Sequence, residues 1–173
     1  MKRLFFALWP DEKTRQKIVQ FDQQLTESKL KKVKTDNLHV TLVFLGQVDD
    51  EQQKNITEAV SDIKSTVIDM TFDQLTLWRQ KRGILCLTSQ YQPQSLLELV
   101  EQIRQRAIEH GVELDNRAYT AHITLARNLK QLPEVAIPAE IDWHATSFAL
   151  IHSVSTEHGV DYRVIKSWPL TVK

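Results

Sequence analysis

One cysteine, four glycines and five prolines in 173 residues exclude several common designs. The lone thiol, Cys86, rules out an internal disulfide framework and any Cys-rich metal site, and it fits a reducing cytoplasm. The sparse glycines form no phosphate loop after any strand, which argues against a doubly wound nucleotide fold. Neither charge sign dominates. With 22 basic and 22 acidic residues there is no global field for a long polyanion, so any contact with nucleic acid is local, at one end or one phosphate. No window approaches the ~20 apolar residues of a membrane span, and no stretch is of low complexity. The opening Met1 to Trp9 imitates an export signal, but Pro10-Asp11-Glu12 cuts its apolar part short of the ~7 to 15 residues required. A first strand is expected there instead. What remains is a chain 42% hydrophobic, enough for a full core in one soluble domain.

Within this plain composition one tetrapeptide pattern occurs twice, as His39-Val40-Thr41-Leu42 and, 83 residues later, His122-Ile123-Thr124-Leu125. A strand sends His and Thr to one face and the aliphatic residues to the other. Two imidazoles and two hydroxyls can then face one cleft. An imidazole with its ordinary pKa of about 6.5 holds or releases a proton near neutrality, so a pair can supply both a base and an acid. A single His on a strand is more often packed or at the surface. The pair points to catalysis because each His has Thr two places on and a Pro, Pro10 or Pro93, 29 residues upstream. His110, His144, His152 and His158 lack this setting and are assigned to helix ends, loops or turns. Trp9, Trp78, Trp143 and Trp168 are assigned to packing at strand ends. Zinc binding is the competing use of two histidines, but no third ligand at short spacing accompanies either motif.

Periodicity predicts strands at Leu4 to Trp9, Leu38 to Leu45, Met70 to Trp78, Ile84 to Thr88 and Ala121 to Ala126. A terminal hairpin is expected from Thr146 to Val154 and Val160 to Ser167. Helices are expected after Pro10, with the stripe Thr14, Ile18, Phe21 and Leu25; after Asp49 and Gln52, which resemble a capping pair; and after Pro93, with the stripe Leu96, Val100, Ile103 and Ala107. Lys29 to Lys34 reads as a loop. Each half thus runs strand, Pro-started helix, loop, His strand. Phe72 and Gly83 also match Phe148 and Gly159 at a common spacing of 76, as though the later hairpins correspond. The expected fold is α+β and bilobal. Internally duplicated antiparallel sheets, with helices packed outside and a central cleft, would form one domain over residues 1–173.

Three strings go further: Arg3-Leu4-Phe5-Phe6-Ala7, Asp36 to Gly46 around the first motif, and Asn116 to Arg127 around the second. In these the chain resembles the 2H phosphoesterase superfamily, and within it the bacterial and archaeal RNA 2′,3′-cyclic phosphodiesterases, also called 2′-5′ RNA ligases. It departs from that family at Ala118 and Ala121, where Pro is frequent. The resemblance implies His122 as proton acceptor activating water and His39 as proton donor to the leaving oxygen; sequence symmetry alone leaves that direction open. It also implies a retained 2′-phosphate, possible reversal to ligation, no cofactor, no metal, and Arg127 as a phosphate clamp.

Strict alternation puts Arg127 on the face opposite His122, so a clamp requires β-strand structure to end or bulge before it. Thr41 and Thr124 share the faces of their histidines and can donate hydroxyl hydrogen bonds to phosphate oxygens. Tyr119 and Phe44 are candidates to stack on a terminal base, with core packing as the competing use. The lysines 29, 31, 32 and 34 can steer an RNA end or form a solvated surface. The expected partners are RNA ends bearing a 2′,3′-cyclic phosphate, with tRNA fragments as one candidate, and the expected state is a cytoplasmic monomer. The alternatives are an enzyme for a small cyclic nucleotide or ADP-ribose cyclic phosphate, and a non-catalytic module that binds RNA ends.

Overall fold

The first strand, β1 (Lys2–Leu8), is apolar on both faces, and its alternation divides the molecule. Leu4, Phe6 and Leu8 enter the main core, whereas Phe5 and Ala7 join a second, smaller cluster with Ala149 and Ile151. A strand buried on both sides belongs at a sheet centre. The computed structural model, which describes residues 1–27, 30–135 and 140–172, places it there. Helix α1 (Glu12–Asp22) follows, capped by Asp11, whose carboxylate accepts from the Thr14 amide at 2.7 Å. Then come β2 (Lys31–Lys32), a 3₁₀ turn (Thr35–Asn37), β3 (Val40–Val48) and α2 (Asp50–Val60). The capping pair expected at Asp49 and Gln52 is formed in both directions, at 2.8 and 3.2 Å.

The remaining elements are β4 (Ile68–Phe72), β5 (Gln74–Trp78), a second 3₁₀ turn (Gln80–Arg82), β6 (Ile84–Thr88), α3 (Gln94–Glu109), β7 (His122–Arg127), β8 (Ile141–Ala145), β9 (Ser147–Thr156) and β10 (Gly159–Pro169). The large sheet runs β10-β9-β1-β3-β7-β6-β5, with β2 added against β7, and β4 pairs with β8 separately. Every strand pair is antiparallel, and the sheet leaves no room for a doubly wound design. Buried residues of all three helices share one core with the β1 face of Leu4, Phe6 and Leu8. The opposite face carries the small cluster around Phe5 and remains open for a cleft.

Several elements differ from the sequence-based expectation. The single strand expected over Met70 to Trp78 is two strands, because the chain changes sheets at Asp73, whose amide donates to Thr88 and whose carboxylate accepts from Gln90. The basic loop contains β2, and β8 precedes the terminal hairpin; Lys29 and Pro138 lie outside the described residues. The matched spacing of 76 aligns β5 with β9, but the neighbour that β6 provides for β5 is provided for β9 by both β1 and β10. Phe6, fully buried against Phe148 and Trp168, anchors the main core. Phe6→Ala should therefore lower the urea-unfolding free energy by about 3 to 5 kcal/mol; a loss under about 1 kcal/mol would mean the site collapses without a cavity.

Candidate active site

The two motif strands meet at one point. Val40 of β3 lies opposite Ile123 of β7, antiparallel, and both side chains are fully buried. Alternation then turns the residues on either side to the other face, where His39, Thr41, His122 and Thr124 are all half-buried. An antiparallel crossing reverses order across the pair, so His39 falls beside Thr124 and Thr41 beside His122. Each imidazole is thus flanked by its own strand's hydroxyl and approached by the other's.

Both rings are held by the same device. Nδ1 of His39 donates to the Asn37 carbonyl at 2.6 Å, and Nδ1 of His122 donates to the Thr120 carbonyl at 2.8 Å. A carbonyl only accepts, which puts the proton of each neutral ring on Nδ1 and leaves Nε2 with a lone pair toward the cleft. Nε2 of His39 accepts from the Thr41 hydroxyl at 2.8 Å. Asn37 is buried and its amide donates to the Val160 carbonyl of β10 at 2.8 Å, so the His39 support is tied to the far side of the sheet. On the other strand, the amide of Ala121 donates to the Gln92 side chain at 2.9 Å.

Aromatic rings enclose the imidazoles. Trp9 stacks on His39 at 5.7 Å and 14°, Phe5 lies at 5.0 Å, and Tyr162 meets it edge-on at 5.3 Å. Trp78 meets His122 at 4.5 Å. Burial accordingly pushes His39 down to about 4, with the positive charges of His122 and Arg127 adding to the effect. Burial also lowers His122, with a smaller contribution from Arg127. Arg127 therefore lies within electrostatic reach of both rings.

A bulge explains how Arg127 gets there. Ala126 pairs with Leu85 and Thr124 with Cys86, which leaves Leu125 without a partner on β6. The extra residue shifts the alternation by one, so Leu125 and Ala126 are both buried and Arg127 emerges exposed on the face of His122. Beneath Thr124, the Cys86 sulfur is 4.0 Å from the hydroxyl, and burial pushes its thiol up to about 11.

The two aromatic candidates differ in setting. Tyr119, for which stacking on a base and core packing were both open, packs partly buried against the main core, and its hydroxyl donates to the Thr41 carbonyl at 3.0 Å. Phe44, for which core packing competed, is 48% exposed. The register shift between Phe6 and Ala7 on β1 places it opposite Phe5, on the face of Thr41, with the Arg3 guanidinium 5.1 Å from its ring centroid. Among the loop lysines, Lys32 bonds to Asp22, Lys34 pairs with Asp161 at 3.0 Å, and Lys31 is exposed opposite Arg127.

The comparisons agree with this geometry. A family model described as LigT-like phosphoesterase matches residues 8–86. The chain is 29% identical to the RNA 2′,3′-cyclic phosphodiesterase of Escherichia coli K12, over 98% of this chain and 97% of that one. Over residues 8–86 the chain is similar to the LigT-like phosphoesterases. The archaeal RNA 2′,3′-cyclic phosphodiesterase of Methanocaldococcus jannaschii is 27% identical to this chain, over 96% of the chain and 99% of the relative. The crystal structure of E. coli LigT in its apo form superposes on it with a TM-score of 0.90 at 28% identity, covering 98% of both chains, and that of LigT complexed with 3′-AMP with 0.91.

Sequence reasoning missed four residues around this site: Asn37, Trp9, Trp78 and Tyr162. The alternation Phe5, Ala7, Trp9 along β1 and just past its end carried a usable signal, since it continues the face opposite Leu4, Phe6 and Leu8. Asn37 stands two places before His39, as Thr120 does before His122, but a carbonyl acceptor has no signature in sequence. The depressed His39 has a consequence for stability. The unfolded ring, near 6.5, binds more protons than the folded one, near 4, so stability is present above about 6.5 and lost as pH falls toward 4. Urea unfolding across that window should show wild type losing about 3 kcal/mol more than His39→Asn. Parallel pH dependences in the two proteins would contradict a neutral, desolvated ring.

Proposed function

We propose that this protein opens 2′,3′-cyclic phosphate ends of RNA to 2′-phosphate ends, without a metal, by paired acid and base catalysis from His122 and His39. The observation that carries the reading is the crossing at Val40 and Ile123, beside which each motif strand bears an imidazole held through its Nδ1. Support also comes from four relatives named RNA 2′,3′-cyclic phosphodiesterase. Residues 1–173 act as one domain whose two related halves each contribute one strand to the cleft, and the protein works as a cytoplasmic monomer on RNA ends, tRNA fragments among them.

In-line displacement places nucleophile and leaving group on opposite sides of phosphorus. Nε2 of His122 takes a proton from water as its oxygen bonds to phosphorus. The bond to the ribose 3′ oxygen breaks, and that oxygen receives a proton from Nε2 of His39. His122 ends protonated and His39 neutral, and exchange with solvent restores the pair. Ligation follows the same path with a 5′ hydroxyl in place of water and leaves a 2′-5′ diester; its reverse, attack by the 3′ hydroxyl, expels the 5′ oxygen and reforms the cyclic phosphate. Thr41 and Thr124 donate to the nonbridging oxygens, and the Arg127 fork neutralises their charge. Tyr119 holds the Thr41 backbone and is a positioning residue, whereas Phe44, under Arg3, offers a ring for a terminal base.

The acid role of His39 requires a proton that burial opposes in the free protein. A bound phosphate anion supplies the opposite charge that restores it. The profile of kcat/KM, which reports the free enzyme, should thus be a bell centred below about 6.5, and that of kcat should be centred higher. Coincident profiles above neutrality would count against this coupling.

His39→Ala and His122→Ala should each lower kcat by about 10² to 10⁴-fold, with the double variant little worse than either. The assay uses an oligonucleotide ending in 2′,3′-cyclic phosphate, incubated in EDTA, with identification of the hydroxyl that keeps the phosphate. Wild-type turnover in either single variant, a need for added metal, or a 3′-phosphate product would each refute part of the proposal. Thr41→Val or Thr124→Val should cost about 2.7 to 4 kcal/mol of transition-state stabilisation if each hydroxyl serves as an oxyanion donor.

A further inference from the structure

Just past the end of β7 lies a cavity of about 420 Å³ lined by Arg79, Arg82, Gly83, Asn128, Leu129 and Lys130. Three of the six are cations, in a chain whose charges otherwise balance. Arg104, Arg106 and Arg117 each face a carboxylate, but Arg79, Arg82 and Lys130 have no ion-pair partner among the described residues. Uncompensated positive charge gathered in a concavity is chemistry for an anion.

The backbone there is also held in an uncommon conformation. Among the described residues, Arg82 (φ 69°) and Asn128 (φ 67°) are the non-glycine residues with positive φ, and both line this cavity. Such geometry persists only where the surroundings impose it, and it gathers at ligand sites. Here two turns interlock. Gly83 sits so close to the Leu129 carbonyl that a Cβ would overlap it, and the Leu129 amide donates to the Gly83 carbonyl at 3.3 Å. That contact fixes the Arg82 turn against the segment bearing Asn128 and Lys130.

The cavity adjoins the His122 side of the site along the chain. Trp78 meets the His122 ring, and the next residue, Arg79, lines the cavity. Ile84 lies opposite Arg127, so the cavity begins one residue beyond that pair on both strands. Asn128 stands four residues beyond Thr124, roughly 13 Å at about 3.3 Å per residue, too far to share the reacting phosphate. An aromatic ring followed by cations is the pattern that tracks a single strand, with a base on the ring and a phosphate on the charges.

We propose that this cavity binds an internal phosphodiester of the RNA strand whose cyclic phosphate end occupies the cleft, so that the enzyme prefers oligonucleotides to cyclic mononucleotides. The inference rests on the cyclic phosphodiesterase reading above. It is tested by measuring kcat/KM for a 2′,3′-cyclic mononucleotide and for a short oligonucleotide with the same cyclic end, at several salt concentrations, in wild type, Lys130→Gln and Arg82→Gly. Glycine at position 82 removes the charge while relieving the positive φ, which guards against a folding defect.

Wild type should favour the oligonucleotide. Each variant should reduce the oligonucleotide-to-mononucleotide ratio about tenfold and lower the salt slope for the oligonucleotide by about 0.7, the value for one phosphate contact on a single strand. An unchanged ratio and slope in both variants, or no oligonucleotide preference in wild type, would overturn the inference while leaving the cyclic phosphodiesterase reading intact. Failure of wild type to open either substrate would sink that reading, and this inference with it.

Discussion

The site depends on a single backbone crossing, where β3 and β7 pair at Val40 and Ile123. Those two side chains are wholly buried, so rotating either strand about its axis to move a His out of the cleft would expose an aliphatic residue and bury a polar one. The hydrophobic effect on one face thereby fixes the catalytic geometry on the other. Little else joins β3 to β7 within the sheet. The cleft is preorganised by what lies below it rather than by contacts among the functional groups themselves.

Around that crossing the supports are polar and asymmetric. Each imidazole leans on a carbonyl two residues back, but the Asn37 carbonyl is anchored through Val160 of β10 and the entry to His122 through Gln92 before α3. His39 is walled by Trp9, Phe5 and Tyr162, whereas Trp78 is the aromatic neighbour of His122. The difference in desolvation follows, and with it the stronger depression of His39. Two strands of one sheet thus carry histidines in unequal surroundings. One catalytic step needs an acid and a base, and unequal surroundings are how two identical side chains can be assigned different work.

Sequence made the motif strands and helices legible because their signals are local. Alternation over four residues identified the His and Thr faces, and the Asp49 and Gln52 pair marked a helix start through bonds spanning three residues. What stayed hidden depends on distant pairing. β2 is two lysines long and exists because β7 lies beside it, and β8 exists because β4 does. The break at Asp73 is set by bonds to Thr88 and Gln90, which periodicity does not register. Phe44 and Arg127 were undecidable for a related reason: a bulge changes which face a residue takes, and it is defined only by the partner strand. The need for such a bulge at Arg127 was nonetheless readable, since alternation without one points the guanidinium away from His122.

The position of β1 constrains the order of assembly. One edge pairs with β3, about forty residues away, and the other with β9, where Arg3 meets Ser153. During synthesis the first strand leaves the ribosome long before its second neighbour exists, and it carries apolar side chains on both faces along an unprotected edge. The small cluster under His39, built from Phe5, Ala7, Ala149 and Ile151, cannot close until that late segment arrives. Completion of the pocket around His39 is thus tied to the arrival of β9 and β10, and a nascent chain lacking them would hold that imidazole without the Tyr162 part of its wall.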